Sequence, residues 1–518
     1  MTDIMKNSLI YKLGRRVSAQ WSRSIIGGAV TRDSGDAVIK NSMIYSAVRR
    51  LLTLLRGVCG KIADALDALI ENSAVLSFFR AAGRVAAAWF KPSLLCRLIE
   101  KLWECQFAFQ GLKLYQLLVF LVIFIAPIAP TMVCAGVTAA AFALYAVDCV
   151  RRKSFPDTPG AVGFFILLLT VIFGFFAVFS LTPRDSVKIW ALYTVFMSAF
   201  LLVTSTVTSR ERLYKLAAVA VFAGFLVSLY GICQNFFGSN IGHAWLDDAM
   251  FDGITMRVYS TLENPNVLGE YLLLVIPVCA ALLWTRKTLL SRLYYIGVLG
   301  TMLLCMLFTQ SRGCWLGLIL TAAVFALFVD WRLVALGAIA IFLLPFILPE
   351  SIITRFTSIG NINDSSTSYR LYIWLGTLNM LKDFGIYGIG LGSGAFNKIY
   401  PFYSYSAIIA PHAHNIYLQL LCETGIVGLG AFLLTMAAAL KKMLLTAMGG
   451  KKRFGGVFAV AVLAGLLGYL LQGAFDYVWY NYRVFLIFWM TIALGAAAGK
   501  TLTATPEPQL ERNIHADD

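Results

Sequence analysis

The chain reads as an all-α polytopic membrane protein with about twelve transmembrane helices and one large extracytoplasmic loop domain. Three observations predict this. Hydrophobic residues make up 59% of the 518 positions and charged residues only 14%, against roughly 25% charged in soluble domains. Apolar runs of roughly 17–25 residues, long enough to cross a bilayer, recur from Leu114 to Gly499. Positive charge gathers in alternate short loops, as membrane insertion requires. The mean hydropathy of +0.76 agrees.

Residues 1–110 differ from the rest. Basic residues (Arg15, Arg16, Arg49, Arg50, Arg56, Arg80, Arg84, Arg97) are spread through them. Ile44, Val48, Leu51, Leu52, Leu55, Ile62, Leu66 and Leu69 recur at helical spacing, with Arg49, Arg50, Arg56, Asp64 and Asp67 largely off that face. This pattern predicts a cytoplasmic basic amphipathic arm on the membrane surface, or a partner-docking arm. The first residues are polar and basic, so no cleavable signal peptide is expected.

Residues 111–348 carry helices 1–9. Their spans fall at Tyr115–Ala129, Met132–Cys149, Gly160–Leu181, Val187–Val207, Leu216–Phe237, Val267–Thr285, Leu293–Gln310, Cys314–Val329 and Leu333–Leu348. The first two are short and divided by Pro127 and Pro130. A large loop follows at 349–413. Helices 10–12 lie within 414–499, at Ile426–Leu440, Val457–Gly473 and Val484–Gly499, and 500–518 is a tail.

Orientation follows from charge. Arg151-Arg152-Lys153, then Arg210, Arg212 and Lys215, then Arg286, Lys287 and Arg292, then Lys441, Lys442, Lys451, Lys452 and Arg453 all fall on one side, with both termini. By the positive-inside rule that side is the cytoplasm. The outer face then carries Gly238–Asn266, the turn Gln310–Gly313, the segment Pro349–Pro411 and the aromatic turn Phe475–Arg483. An outer loop of about 65 residues is exceptional beside such short connections, and long ordered loops tend to carry function.

Several function classes drop out. The net charge of +16 sits in insertion loops, and no basic segment interleaves with stacking aromatics, so no nucleic acid is expected. Ten cysteines stand singly without a CxxC pair and read as small apolar packing residues. Gly388-Ile-Gly390-Leu-Gly392-Ser-Gly394 lacks the preceding strand and βαβ unit of a dinucleotide site. A glycine-rich turn near the substrate is the better use. The outer loops hold no DxD, paired acids or HExxH, so no metal and no cofactor are expected.

Four basic residues of the outer face carry the functional reading: Arg257, Arg312 in Ser-Arg-Gly, Arg370 in Tyr-Arg-Leu-Tyr-Ile-Trp, and His414 where the long loop re-enters the membrane. Ionisable groups at membrane depth point to function. Few acids accompany them (Glu263, Glu270, Asp364 and Glu423), which leaves an external anion as partner. A diphosphate suits guanidinium forks, which bind its oxygens in pairs and stay charged at any pH. Plainer roles compete: interfacial anchors for Arg257 and Arg312, a surface helical arginine for Arg370, and a packed neutral imidazole for His414. His412 is its rival, and the expected bystander.

These residues resemble a family. Asn264-Pro-Asn266, Ser311-Arg-Gly313, Arg370 with Trp374, the turn Gly388–Gly394 and His414-Asn-x-Tyr-Leu-x-x-x-x-Glu423-x-Gly425 resemble the O-antigen ligase and O-antigen polymerase superfamily in order, spacing and outside location. The likeness runs from about Leu216 to Gly499. It implies a GT-C type glycosyltransferase of the bacterial cytoplasmic (inner) membrane, with its active site on the extracytoplasmic face. It further implies transfer or polymerisation of glycan from undecaprenyl diphosphate onto a glycan, lipid or protein acceptor, without metal. Arg312 and Arg370 match the family's diphosphate-binding arginines, joined here by Arg257, and His414 matches its essential histidine. Glu263, Asn264, Trp374, Asn415 and Glu423 are then candidate acceptor or sugar contacts. Tyr259, Trp374, Tyr477 and Trp479 offer faces to sugar rings, or form an interfacial belt. The arm 1–110 departs from the family pattern.

As an acceptor hydroxyl attacks the anomeric carbon, charge grows on the departing diphosphate. Arginines already in place stabilise it without reorganising. An imidazole suits the base that takes the hydroxyl proton at neutral pH. The alternative class is a polysaccharide flippase or other multi-span transporter. Internal repeats with paired broken helices would mark one, and the chain shows no such symmetry.

Overall fold

The computed structural model describes residues 112–151, 160–237, 257–330, 332–347, 350–360, 365–405, 407–450 and 453–503, with isolated positions 50, 81, 85 and 88. The chain divides into two units, Met1–Leu76 and Ser77–Asp518. The amphipathic arm expected over 1–110 lies almost wholly outside the described residues, as does most of the tail.

The described residues are helical. In chain order, α1 (Leu114–Ile125), α2 (Thr131–Arg151), α3 (Gly160–Val178), α4 (Pro183–Thr206) and α5 (Arg210–Phe237) come first. A short turn Ser260–Leu262 leads to α6 (Pro265–Trp284), α7 (Leu289–Phe308), α8 (Arg312–Val329) and α9 (Arg332–Ile347). The large loop contributes α10 (Glu350–Thr357), α11 (Ser365–Phe384) and α12 (Ser393–Ile399). Last come α13 (Ile416–Gly449), α14 (Phe454–Gln472), α15 (Tyr482–Ala497) and the short α16 (Lys500–Thr503).

Among the described residues, ten helices are long and apolar enough to cross a membrane. The two other expected spans coincide with helices that are shorter, α1 and α9. Pro127 and Pro130 explain the first case, since proline ends a helix by removing a donor and crowding the preceding turn. The span expected at Ile426–Leu440 instead starts at Ile416 and runs to Gly449. Its backbone breaks at Gly425 (φ 58°, ψ −169°), a conformation open essentially to glycine alone.

Small residues hold the helices together where apolar contact with lipid offers no alternative driving force. Gly317 of α8 meets Gly468 of α14 backbone to backbone, and Thr321 Oγ1 donates to the Ala464 carbonyl at 3.2 Å. Gly465 on α14 faces Pro277 and the Leu273 carbonyl of α6. Thus α14 lies between α6 and α8 and also touches α13 and α15. Ion pairs tie the ends: Lys113 to Asp148 at 2.6 Å, and Arg483 to Glu263 at 3.4 Å.

The large loop has its own apolar core, formed by Ile373, Met380, Ile389, Phe396, Tyr400 and Cys422 among others. The glycine run docks onto the α13 break: Ile389 N–H donates to the Cys422 carbonyl (2.8 Å) and Gly390 N–H to the Glu423 carbonyl (3.0 Å). Ser180 and Ser186 hydroxyls donate to Ile389 and Leu391 carbonyls. Positive φ at Gly388, Gly390 and Gly392 allows this approach, because a Cβ at Gly388 would strike the Glu423 backbone. Gly388 and Gly390 of the run thus serve as a structural clasp on α13.

Candidate active site

Three helices begin with asparagine caps beside the site residues. Asn264, Asn415 and Asn481 accept the first amide protons of α6, α13 and α15, groups with no partner inside a helix. These caps set the entry of each chain segment, and the site residues sit beside them.

Asp476, in the turn between α14 and α15, is the hub. Its Oδ1 lies 2.9 Å from His414 Nδ1 and accepts the Tyr477 amide. Its Oδ2 accepts Asn266 Nδ2 at 2.9 Å and stands 3.6 Å from Arg370 Nη2. Burial opposes the carboxylate's charge, but His414 and Arg370 outweigh it and hold the carboxyl well below the usual carboxylate range. An ionised Asp476 fixes the proton of His414 on Nδ1 and leaves the Nε2 lone pair as acceptor.

His414 adopts φ 45°, a left-handed conformation that non-glycine residues need support to hold. Its carbonyl accepts Trp374 Nε1 at 3.3 Å and its amide donates to His412 Nδ1 at 3.3 Å. The His412 ring packs 4.1 Å from that of His414. Burial first, then the charges of His414 and Arg370, push His412 down to about 3 against the opposing pull of Asp476. His412 is therefore neutral, with its proton on Nε2 because Nδ1 accepts. It supports His414 rather than standing by.

The arginines converge. Arg257 is buried, donating through Nε to the Thr309 carbonyl (3.0 Å) and through Nη2 to Asn266 Oδ1 (3.0 Å). Burial and the positive charges of Arg355, Arg370 and Arg312 lower it to about 9. Arg312 opens α8 and donates to the Ser358 carbonyl and hydroxyl at 3.2 and 3.0 Å. Arg355, on amphipathic α10, is 5% exposed and joins the cluster from the large loop. Arg312, Arg355 and Arg370 thus all lie within electrostatic reach of Arg257, so an anion bound here could draw on several guanidinium groups.

The remaining candidates have other work. Glu263 pairs with Arg483 while 84% of its side chain is exposed. Asn264 and Asn415 are caps, and Asn415 also donates to the Ala474 carbonyl. Glu423 is fully buried and accepts Gly392 N–H and Gln419 Nε2 at 3.0 and 2.8 Å. Of these four, expected as acceptor or sugar contacts, Glu263 is exposed, Asn264 and Asn415 are half-buried, and only Glu423 is enclosed. Trp479 is also fully buried, packed on Phe485 at 4.9 Å.

Sequence reading missed Asp476, Arg355 and the bridging role of Asn266. Asp476 carried a signal, being an acid in a short turn between two apolar spans. His412, His414 and Asp476 bring ligand-type atoms within 4.8 Å of one another, a spacing a metal ion accepts. The direct His414–Asp476 hydrogen bond and the surrounding arginines disfavour a cation there electrostatically.

No curated protein matches the chain. Residues 297–433, which include Arg312, Arg355, Arg370 and His414, match the family model for O-antigen ligase, and this match supports a place for the chain in the O-antigen ligase superfamily.

Proposed function

We propose that this protein transfers or polymerises glycan from undecaprenyl diphosphate onto a cell-surface acceptor, at the extracytoplasmic face of the bacterial cytoplasmic membrane. The family match implies a glycosyltransferase-like membrane enzyme using a lipid-linked glycan donor. The observation that carries the finer reading is the carboxylate of Asp476, which joins His414 on one oxygen and Arg370 and Asn266 on the other.

In this reading Arg257, Arg312, Arg355 and Arg370 hold the diphosphate. The acceptor oxygen attacks the anomeric carbon as the carbon–oxygen bond to the diphosphate breaks. Its proton passes to His414 Nε2, and the imidazolium is stabilised by Asp476. The bonding electrons leave with the diphosphate, whose growing charge meets guanidinium groups already in place. No metal step is required.

The direct test incubates the purified protein with a defined polyprenyl-diphosphate oligosaccharide and an oligosaccharide acceptor, with and without excess chelator. Chain growth or transfer that survives chelation is expected. Absence of transfer would overturn the function. Activity lost to chelator and restored by a divalent ion would favour the His412–His414–Asp476 metal arrangement.

A further inference from the structure

We propose that the aromatic recess beside His412 is the subsite for the sugar ring of the acceptor, an inference that rests on the function just proposed. The recess is walled by His412, Tyr477, Tyr480 and Tyr482, with Gly392 and Gln419 among its other lining residues. The recess as a whole holds little more than one water or hydroxyl, so a sugar ring would lie over its mouth with one hydroxyl inside. Tyr480 at its rim is 50% exposed.

Every wall is built. Tyr477 is buried and its hydroxyl lies 3.2 Å from that of Tyr193. Gln419 is locked, its Oε1 accepting the Ala413 amide and its Nε2 donating to Glu423. The second carboxylate oxygen of the wholly buried Glu423 has no hydrogen-bond partner. His412 packs 4.7 Å from Tyr480 and 5.6 Å from Tyr477. Since its Nδ1 accepts from His414, its Nε2 is a fixed donor.

The half-exposed Tyr480 ring beside a notch with a fixed N–H donor suits a pyranose, which presents apolar C–H faces and a rim of hydroxyls. The contact order assigns the ring to the acceptor. Arg370 pairs with Asp476, Asp476 joins His414, the His414 ring packs at a tilt against His412, and His412 meets Tyr480. A ring lying on Tyr480 with one hydroxyl in the notch stands next to the proposed base and away from the diphosphate clamp.

The test measures steady-state transfer for Tyr480→Ala and Tyr480→Phe, with a polyprenyl-diphosphate oligosaccharide as donor and the free oligosaccharide of the same repeat as acceptor. Tyr480→Ala is expected to raise acceptor KM at least about tenfold, the loss of one stacked ring, with donor KM unchanged and Tyr480→Phe near wild type. A fall in kcat with acceptor KM unchanged would overturn the subsite and leave Tyr480 as packing for His412. A rise in donor KM instead would assign the ring to the donor and overturn the acceptor reading. Binding is read independently of catalysis by thiol labelling of Tyr480→Cys in a Cys233→Ser background, Cys233 being exposed. Protection by the free oligosaccharide supports the subsite even if wild-type transfer fails. Transfer without protection or KM change overturns the subsite and leaves the function standing.

Discussion

At the scale of residues, the division of labour between clamp and base is testable. An ammonium cannot reproduce a planar paired contact, so Arg312→Lys and Arg370→Lys should each lose most activity and weaken donor binding. His414→Ala should keep donor binding while the transfer rate falls roughly 10²–10⁴-fold, the usual cost of losing a general base. Asp476→Asn should also leave donor affinity largely intact and lower the rate, because the wrong tautomer is then favoured. Equal turnover in wild type and Asp476→Asn would remove Asp476 from the mechanism. His412 adds a pH signature. Its value in the folded protein, about 3, lies below the ordinary 6.5, so the unfolded chain binds the proton more readily. Stability is full above about 6.5 and falls as pH drops toward about 3. The melting temperature in detergent should follow that window, and His412→Asn should flatten it. Arg257, Arg312, Arg370 and His414 were legible in the sequence because charge at membrane depth is conspicuous. Asp476 was not, since its 62-residue separation from His414 is bridged only by the packing of α13 and α14.

At the scale of elements, hydropathy located the helices, while their ends depended on caps and glycines. The start of α13 at Ile416 follows from the Asn415 cap, and its break from Gly425, neither of which an apolar run reports. Likewise the glycine run signals tight backbone approach without saying to what, and the Glu423 carbonyl is one of its partners. Two substitutions separate these roles. Asn415→Ala removes a cap and the bond to Ala474, costing about 1 kcal/mol of stability, and should lower activity modestly because His414 directly precedes it. Gly425→Ala places a Cβ against the Ile386 carbonyl in a conformation costing about 1–3 kcal/mol. It should reduce folded yield in detergent more than Asn415→Ala does. Comparable melting temperatures for Gly425→Ala and wild type would show that the clasp tolerates movement.

At the scale of the whole molecule, the site depends on which face of the membrane it occupies. The basic loops Arg210–Lys215 and Arg286–Arg292 and the end of α13 with Lys441 and Lys442 lie at one set of helix ends. The Asn264, Asn415 and Asn481 caps, Asp476 and the arginine cluster lie at the other. Charge bias in short loops sets orientation, and the proposed function needs the basic ends in the cytoplasm and the site outside. Cysteines added one at a time to a Cys233→Ser background test this, with labelling of that parent as the baseline. Ile409 in the large loop is 83% exposed and Leu290 at the basic end of α7 is 80% exposed, so neither substitution disturbs packing. With an impermeant thiol reagent on intact cells, Ile409→Cys should label at once and Leu290→Cys only after permeabilisation. The reverse pattern would place the arginines and His414 in the cytoplasm, where a glycan already carried to the outer leaflet cannot reach them. Labelling of Ile409→Cys that is slowed by a bound polyprenyl-diphosphate oligosaccharide, and unaffected by the free oligosaccharide, would further tie the large loop to the donor side of the site.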